Sequence, residues 1–173
     1  KAYGKGIELG GKTLGIIGFG RIGQALGRMA KGIGMEVIAQ DIFHVPGIEE
    51  QIGMKYVELD ELLERADFIS LHTPSLNGVK LISKENIDKM KDGVVFINTS
   101  RGDNVNEDDL LEALNSGKIR AAGLDVYADE PATNAALYSH TNVSCTPHIG
   151  AATKEAQQRI GAEIVEIIES FGK

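Results

Sequence analysis

Cysteine is nearly missing from this chain. Cys145 stands alone, so no internal disulfide can form, and a single thiol suits a reducing compartment. Long apolar runs are missing as well, and no stretch approaches the roughly 18 residues that a membrane-crossing helix needs. Basic residues are in deficit: 18 Lys and Arg stand against 25 Asp and Glu, for a net charge of −7. That sign repels polyanions and argues against nucleic acid as a partner. Metal-ligand spacing is absent. His72 and His148 are isolated, and Cys145 with His148 offers two ligands at most, so no metal is expected. The chain starts Lys1-Ala2-Tyr3-Gly4, with neither an initiator Met nor the basic-then-apolar pattern of a signal peptide. The expectation is a cytoplasmic protein and a piece of a longer chain.

What remains is ordinary globular composition. The 173 residues are 42% hydrophobic and 25% charged, enough for one compact domain over 1–173. No repeat, low-complexity tract or linker interrupts it. Short runs rich in Val and Ile alternate with longer stretches of mixed charge, which predicts an α/β fold, a doubly wound and mostly parallel sheet. Strands are expected at Thr13–Ile17, Glu36–Asp41, Lys55–Val57, Phe68–Leu71, Val94–Asn98, Ile119–Val126 and Asn142–Thr146. Helices are expected from Ile22 to Gly32, around Leu59, Leu62, Leu63 and Ala66, and from Lys84 to Met90. A further helix follows Asn106, whose side chain suits capping of the Asp109 N–H. Ala156, Ile160, Ile164 and Ile168 recur every four residues, joined by Ile167 and Phe171, and predict a long final helix that buries this stripe. The acidic run from Glu49 to Asp67 reads as a solvated face.

The first strand runs directly into Gly18-Phe19-Gly20-Arg21-Ile22-Gly23. Gly18 suits the tight turn, Gly20 lets backbone approach a pyrophosphate, and Gly23 allows close packing of helix on strand. Unpaired N–H groups at the start of that helix then face phosphates. Asp41 closes the second strand, placed to accept both hydroxyls of an adenosine ribose and to repel a 2′-phosphate. The ligand read from this pattern is NAD, not NADP.

In such a sheet the ligand crevice lies at the carboxyl ends of the strands. Thr73-Pro74, Thr99-Ser100-Arg101-Gly102, Asp125 and Pro147-His148-Ile149-Gly150 all fall there. The planar fork of Arg101 suits a carboxylate. His148 suits reversible proton transfer at a carbonyl or alcohol oxygen. Glu130, before Pro131, suits holding that imidazole in one tautomer. The residues alone leave bland alternatives open, a surface turn for Arg101-Gly102 and a loop corner for Glu130-Pro131. His44, His72 and His140 read as surface or loop histidines. A nucleophilic Cys145–His148 pair lacks an oxyanion site, so Cys145 is expected to pack.

Four stretches carry a resemblance: Gly11–Gly23, Phe96–Gly102, Ala122–Pro131 and Thr146–Ala156. From about Glu8 to Gly161 the chain resembles the cofactor-binding domain of the D-isomer-specific 2-hydroxy acid dehydrogenases, most of all their phosphoglycerate branch. The resemblance implies a substrate-binding arginine at Arg101, a histidine acid/base at His148 and its orienting glutamate at Glu130. Cofactor contacts are implied at Gly18, Gly20, Arg21, Ile22, Gly23, Asp41, Thr73, Pro74, Thr99, His148 and Gly150, with Asp125 near the nicotinamide carboxamide. It implies hydride transfer between NAD and a D-2-hydroxy acid, 3-phosphoglycerate at the first step of serine biosynthesis, and pairing into homodimers.

Two features depart from the family pattern. Its separate substrate domain is not built by this chain, and Asp103 stands where a small or apolar residue is usual. The competing expectations are a non-catalytic NAD-binding module, or the same domain from a D-lactate or glycerate/hydroxypyruvate dehydrogenase. A short-chain oxidoreductase would need a Tyr-x-x-x-Lys pair, which neither Tyr127 nor Tyr138 begins.

Overall fold

The computed structural model describes residues 6–171; residues 1–5 and 172–173 of the expected single domain lie outside the described residues. In chain order the elements are β1 (Thr13–Ile17), α1 (Arg21–Gly32), β2 (Glu36–Gln40), α2 (Ile48–Ile52), β3 (Lys55–Tyr56), α3 (Leu59–Arg65) and β4 (Phe68–Leu71). Then come α4 (Lys84–Lys89), β5 (Val94–Asn98), a 3-10 turn (Gly102–Asn104), α5 (Glu107–Ser116), β6 (Ile119–Leu124), α6 (Ala135–Tyr138), β7 (Val143–Cys145) and α7 (Lys154–Phe171). The seven strands form one parallel sheet in the order β3-β2-β1-β4-β5-β6-β7. The architecture is the expected doubly wound α/β fold. Its strand order reverses between β1 and β4, where such sheets open a crevice.

Strands buried on both faces read as continuous apolar runs, and β1 and β2 show why. Leu14, Ile16, Val37 and Ala39 pack with Phe19, Ala30, Ile48 and Ile52 from the α1–α2 side. Ile17 and Ile38 enter the larger cluster on the opposite face, with Leu62, Leu63, Phe96, Leu110 and Leu137. Asn106 caps α5 as its position predicted, its Oδ1 accepting from the N–H groups of Asp108 at 3.1 Å and Asp109 at 3.3 Å.

Three expectations are corrected. The final helix forms, but it does not bury its stripe: none of its residues is buried, and Ile164 and Ile168 are 50% and 65% exposed. A four-residue apolar repeat specifies a face without supplying a neighbour for it. Cys145 is exposed rather than packed, because β7 is an edge strand with one paired side. Nor is the acidic run merely solvated. Asp67 Oδ2 accepts the Thr13 N–H at 2.9 Å and Oδ1 receives Lys91 Nζ at 3.0 Å, which fastens the start of β1 beside β4. Burial pushes the Asp67 carboxyl up, but these two donors and the charge of Lys12 outweigh it, and its pKa lies below the ordinary value of 3.8.

Replacing Asp67 with Ala removes a charge-assisted bond to backbone and is expected to cost about 1–2 kcal/mol of stability. Replacing Lys91 with Ala removes only a partly exposed ion pair and is expected to cost under about 1 kcal/mol. Urea unfolding of the two variants checks this ranking, and equal losses would contradict it.

Candidate active site

At the carboxyl end of β1 the chain turns sharply. Gly18 has φ +89°, and a Cβ there would stand 2.7 Å from the His72 carbonyl carbon, so only glycine lets β1 meet the end of β4 this closely. The Gly18 N–H donates to Gln40 O at 2.9 Å, and the His72 N–H to Ile17 O at 2.7 Å. Gly23 packs a turn later, its absent Cβ leaving room for Gly18 O. The space over Gly20 is open, and no side chain caps the helix that starts at Arg21. The first turn of α1 thus presents uncapped N–H groups into an open cradle, the arrangement that receives phosphate.

Asp41 sits just past β2. Its Oδ2 accepts the Phe19 N–H at 2.6 Å and its Oδ1 the Phe43 N–H at 3.0 Å. A carboxylate has about four acceptor sites, so hydroxyl groups still find lone pairs there. Ile22 is 66% exposed beside the cradle, and Ile42 and Phe43 are exposed beyond Asp41. The glycine turn, the open helix end and the acidic strand end fit a dinucleotide of the NAD type.

Thr73 and Pro74 follow β4 and are organised by a residue the sequence did not single out. Asn104, fully buried, donates through Nδ2 to Thr73 Oγ1 at 3.1 Å and to Pro74 O at 2.8 Å, while its Oδ1 accepts the Leu76 N–H at 2.9 Å. Ser75 Oγ donates to Asp103 Oδ2. Asn98 does the same for the Arg101 segment: buried at the end of β5, it accepts from Ser100 N and Oγ at 3.0 Å each and donates to Arg101 O at 3.0 Å. Asn98 shows in the sequence as a polar residue closing an apolar run, whereas Asn104, after Gly102-Asp103, carries no such signal. Thr99 and Arg101 are exposed at this edge, and Arg101 Nη1 donates to Ser100 O at 2.7 Å. His72 Nε2 lies 2.8 Å from Ser70 Oγ, and burial lowers its pKa from the ordinary value of 6.5.

Asp125, just past β6, is buried and gathers the loop after β7. Its Oδ1 accepts from Thr146 Oγ1 at 2.5 Å and from the Ile149 N–H at 2.9 Å, and its Oδ2 accepts from the Gly150 N–H at 3.0 Å. Burial alone would push the carboxyl up. The Thr146 hydroxyl, the two backbone donors and the charge of His148 outweigh it and hold the pKa below 3.8. Within this loop His148 takes φ 54°, a conformation that a side chain tolerates only under outside constraint.

Glu130 meets His148 there. Nδ1 stands 2.8 Å from Oε2 and 3.0 Å from Oε1. The bond from His148 holds the Glu130 carboxyl below its ordinary value of 4.5, against a smaller push from burial, and the Arg101 charge acts in the same direction. An ionised carboxylate only accepts, so Nδ1 carries the proton and Nε2 is the free nitrogen. Tyr127, Tyr138, Pro131, Cys145 and Pro147 line a cavity of about 450 Å³ beside this pair. Arg101, Glu130 and His148 therefore share one edge of the sheet. Among the described residues no three His, Cys, Asp or Glu side chains gather as a metal site, and no helix is long and apolar enough to cross a membrane.

Fold and cradle define a dinucleotide-binding domain of the kind found in oxidoreductases. Residues 1–150 match the family described as D-isomer specific 2-hydroxyacid dehydrogenase, NAD binding domain, and the chain belongs to that family. It is 48% identical over 169 residues to a hydroxypyruvate reductase from Blautia hydrogenotrophica, covering 96% of this chain and 52% of the relative. It is 44% identical over 164 residues to a D-3-phosphoglycerate dehydrogenase from Mycobacterium tuberculosis, covering 94% of this chain and 31% of the relative. The crystal structure of a glyoxylate reductase from Paecilomyes thermophila superposes with a TM-score of 0.91 at 37% identity, over 98% of this chain and 52% of that one. The chain thus spans about half the length of its first curated relative.

Asp125→Asn leaves one acceptor oxygen for three donors. It is expected to lower Tm by about 4–8 °C at neutral pH, from a loss of about 2 kcal/mol. Because the folded-state pKa is depressed, the wild-type advantage is complete above the unfolded-state pKa near 3.8 and fades as pH falls through the lower folded value. Thermal melts from pH 2.5 to 7 check this, and a gap that stays constant at acid pH would reject it.

Proposed function

We propose that this chain is the NAD-binding half of a dehydrogenase that interconverts a D-2-hydroxy acid and its 2-oxo acid, with the substrate domain supplied by the rest of a longer protein. The observation that carries the proposal is the Glu130–His148 pair, bonded at 2.8 Å and 3.0 Å on the same sheet edge as Arg101 and the open end of α1. The first turn of α1 holds the pyrophosphate, and Asp41 takes the adenosine ribose. Thr73, Pro74, Thr99 and Gly150 flank the rest of the dinucleotide.

When bound, the nicotinamide supplies or accepts the hydride. His148 Nε2 gives a proton to the carbonyl oxygen in reduction and takes it from the hydroxyl in oxidation. Glu130, anionic at neutral pH, fixes the ring through Nδ1. Arg101 clamps the substrate carboxylate with its two parallel donors.

For the substrate we favour hydroxypyruvate or glyoxylate over 3-phosphoglycerate. The hydroxypyruvate reductase relative is more similar than the phosphoglycerate dehydrogenase, and the superposed structure is a glyoxylate reductase. Asp103 adds a negative charge between the Arg101 segment and Ser75, which disfavours a second anionic group on the substrate.

Calorimetric titration of the chain with NADH is expected to give saturable binding. Asp41→Ala should weaken it roughly 10-fold and reduce discrimination against NADPH; an unchanged preference would remove Asp41 from the ribose site. In the whole protein, His148→Ala should cut kcat for glyoxylate reduction at least about 100-fold with little change in NADH affinity. Normal turnover would end its acid/base assignment. Faster turnover of 3-phosphoglycerate than of glycerate in the wild-type protein would overturn the substrate choice.

A further inference from the structure

We infer that Tyr127 is a positioning residue that locks the segments carrying Arg101, Glu130 and His148 against one another. The inference rests on the roles proposed above for those three residues. Tyr127 meets each segment through a different part of itself. Its phenol donates to Thr146 O at 2.6 Å, in the loop two residues before His148. Its backbone N–H points to Glu130 Oε1 at 3.4 Å, the oxygen that also faces His148 Nδ1. Its carbonyl lies directly on Gly102, the neighbour of Arg101, where a built Cβ would stand 1.9 Å from the Tyr127 carbonyl carbon. Any side chain at position 102 would push the Arg101 segment away from the Glu130 segment.

Tyr127 is itself braced. The ring of Tyr138 meets its own edge-on, with centroids 4.8 Å apart and planes at 79°. The Tyr138 hydroxyl donates to Glu107 Oε1 at 2.7 Å, and the same oxygen accepts the Ala128 N–H at 2.9 Å. Glu107 is the first residue of α5, so the brace runs back to a helix packed on the sheet. Burial first, then Cys145 and the carboxylates of Asp125 and Glu130, push the Tyr127 phenol up to about 12. It stays a donor at any pH where the pair works. Asp125 fixes the same loop through Thr146 Oγ1, Ile149 and Gly150, but it reaches neither Glu130 nor Gly102 by any bond given above. Tyr127 joins all three.

The test is Tyr127→Phe, which keeps the ring against Tyr138 and deletes what the hydroxyl makes: the short bond to Thr146 O, a longer one to Leu124 O at 3.4 Å and the contact with Cys145. In the whole protein kcat for glyoxylate reduction is expected to fall about 3- to 10-fold, the worth of the short hydrogen bond, with KM for NADH unchanged. A purely structural role would not move the second readout, the titration of the Glu130 side chain followed by carbon-13 NMR. In the variant it should move up toward its ordinary value of 4.5 as the pair with His148 loosens. Wild-type kcat together with a wild-type Glu130 titration would overturn the inference. His148→Ala run in parallel separates the two ideas. If it abolishes turnover while Tyr127→Phe changes nothing, only the positioning role fails; if it turns over normally, the acid/base reading fails first.

Discussion

The carboxylate of Asp125 is the constraint on which the active edge depends. It is buried, so its charge must be met by donors, and the donors it finds are the Thr146 hydroxyl and the N–H groups of Ile149 and Gly150. The loop after β7 is therefore wrapped around a fixed point. A left-handed backbone at a histidine costs on the order of 1–3 kcal/mol, and it persists here because its neighbours on either side are tied down. Without that tie, Glu130 would face a ring free to turn away. The Asp125 N–H in turn donates to Asn98 O at 3.0 Å, so the fixed point is anchored in the sheet beside the Arg101 segment.

The sheet divides its labour at the reversal of strand order. One side, β1 to β3, builds the phosphate cradle from backbone and from a single carboxylate, with little need for side-chain chemistry. The other, β4 to β7, carries Arg101, Glu130 and His148, the groups to which charge and proton handling are assigned in the proposed reaction. The two sides touch where Gly18 packs on the backbone of His72. A dinucleotide laid across that contact would have its phosphates on the first side and its reactive ring toward the second, which is the placement that open parallel sheets impose.

Much of this was legible in the sequence. Gly18, Gly20, Gly23 and Asp41 announce themselves through spacing, because a tight turn, a backbone approach and an acidic strand end each demand particular residue types. Arg101, Glu130 and His148 were legible as residue types suited to a carboxylate, a proton and the holding of an imidazole, but each had a bland alternative, and the family resemblance was what favoured reading them as one group. Asn104 escaped notice because its bonds reach Thr73, Pro74 and Leu76, some thirty residues away, and Asn98 because its bonds to Ser100 and Arg101 belong to a turn that an asparagine does not announce. The final helix shows the opposite limit. Its repeat of Ile160, Ile164 and Ile168 specified a helix correctly, yet a repeat holds no information about what stands opposite. Cys145 was misplaced for a related reason: whether a strand is central or at an edge is decided by pairing, not by its own residues.

The position of β1 has a consequence for how the chain is made. It is made before every other described strand of this sheet, but it ends in the middle, between β2 and β4. One of its edges therefore stays unpaired until Phe68–Leu71 has been synthesised, more than fifty residues later. An open edge on an apolar strand is a template for wrong pairing. The bond from Thr13 N–H to Asp67 joins the first residue of β1 to the residue just before β4. It marks the point in synthesis at which that exposure can end.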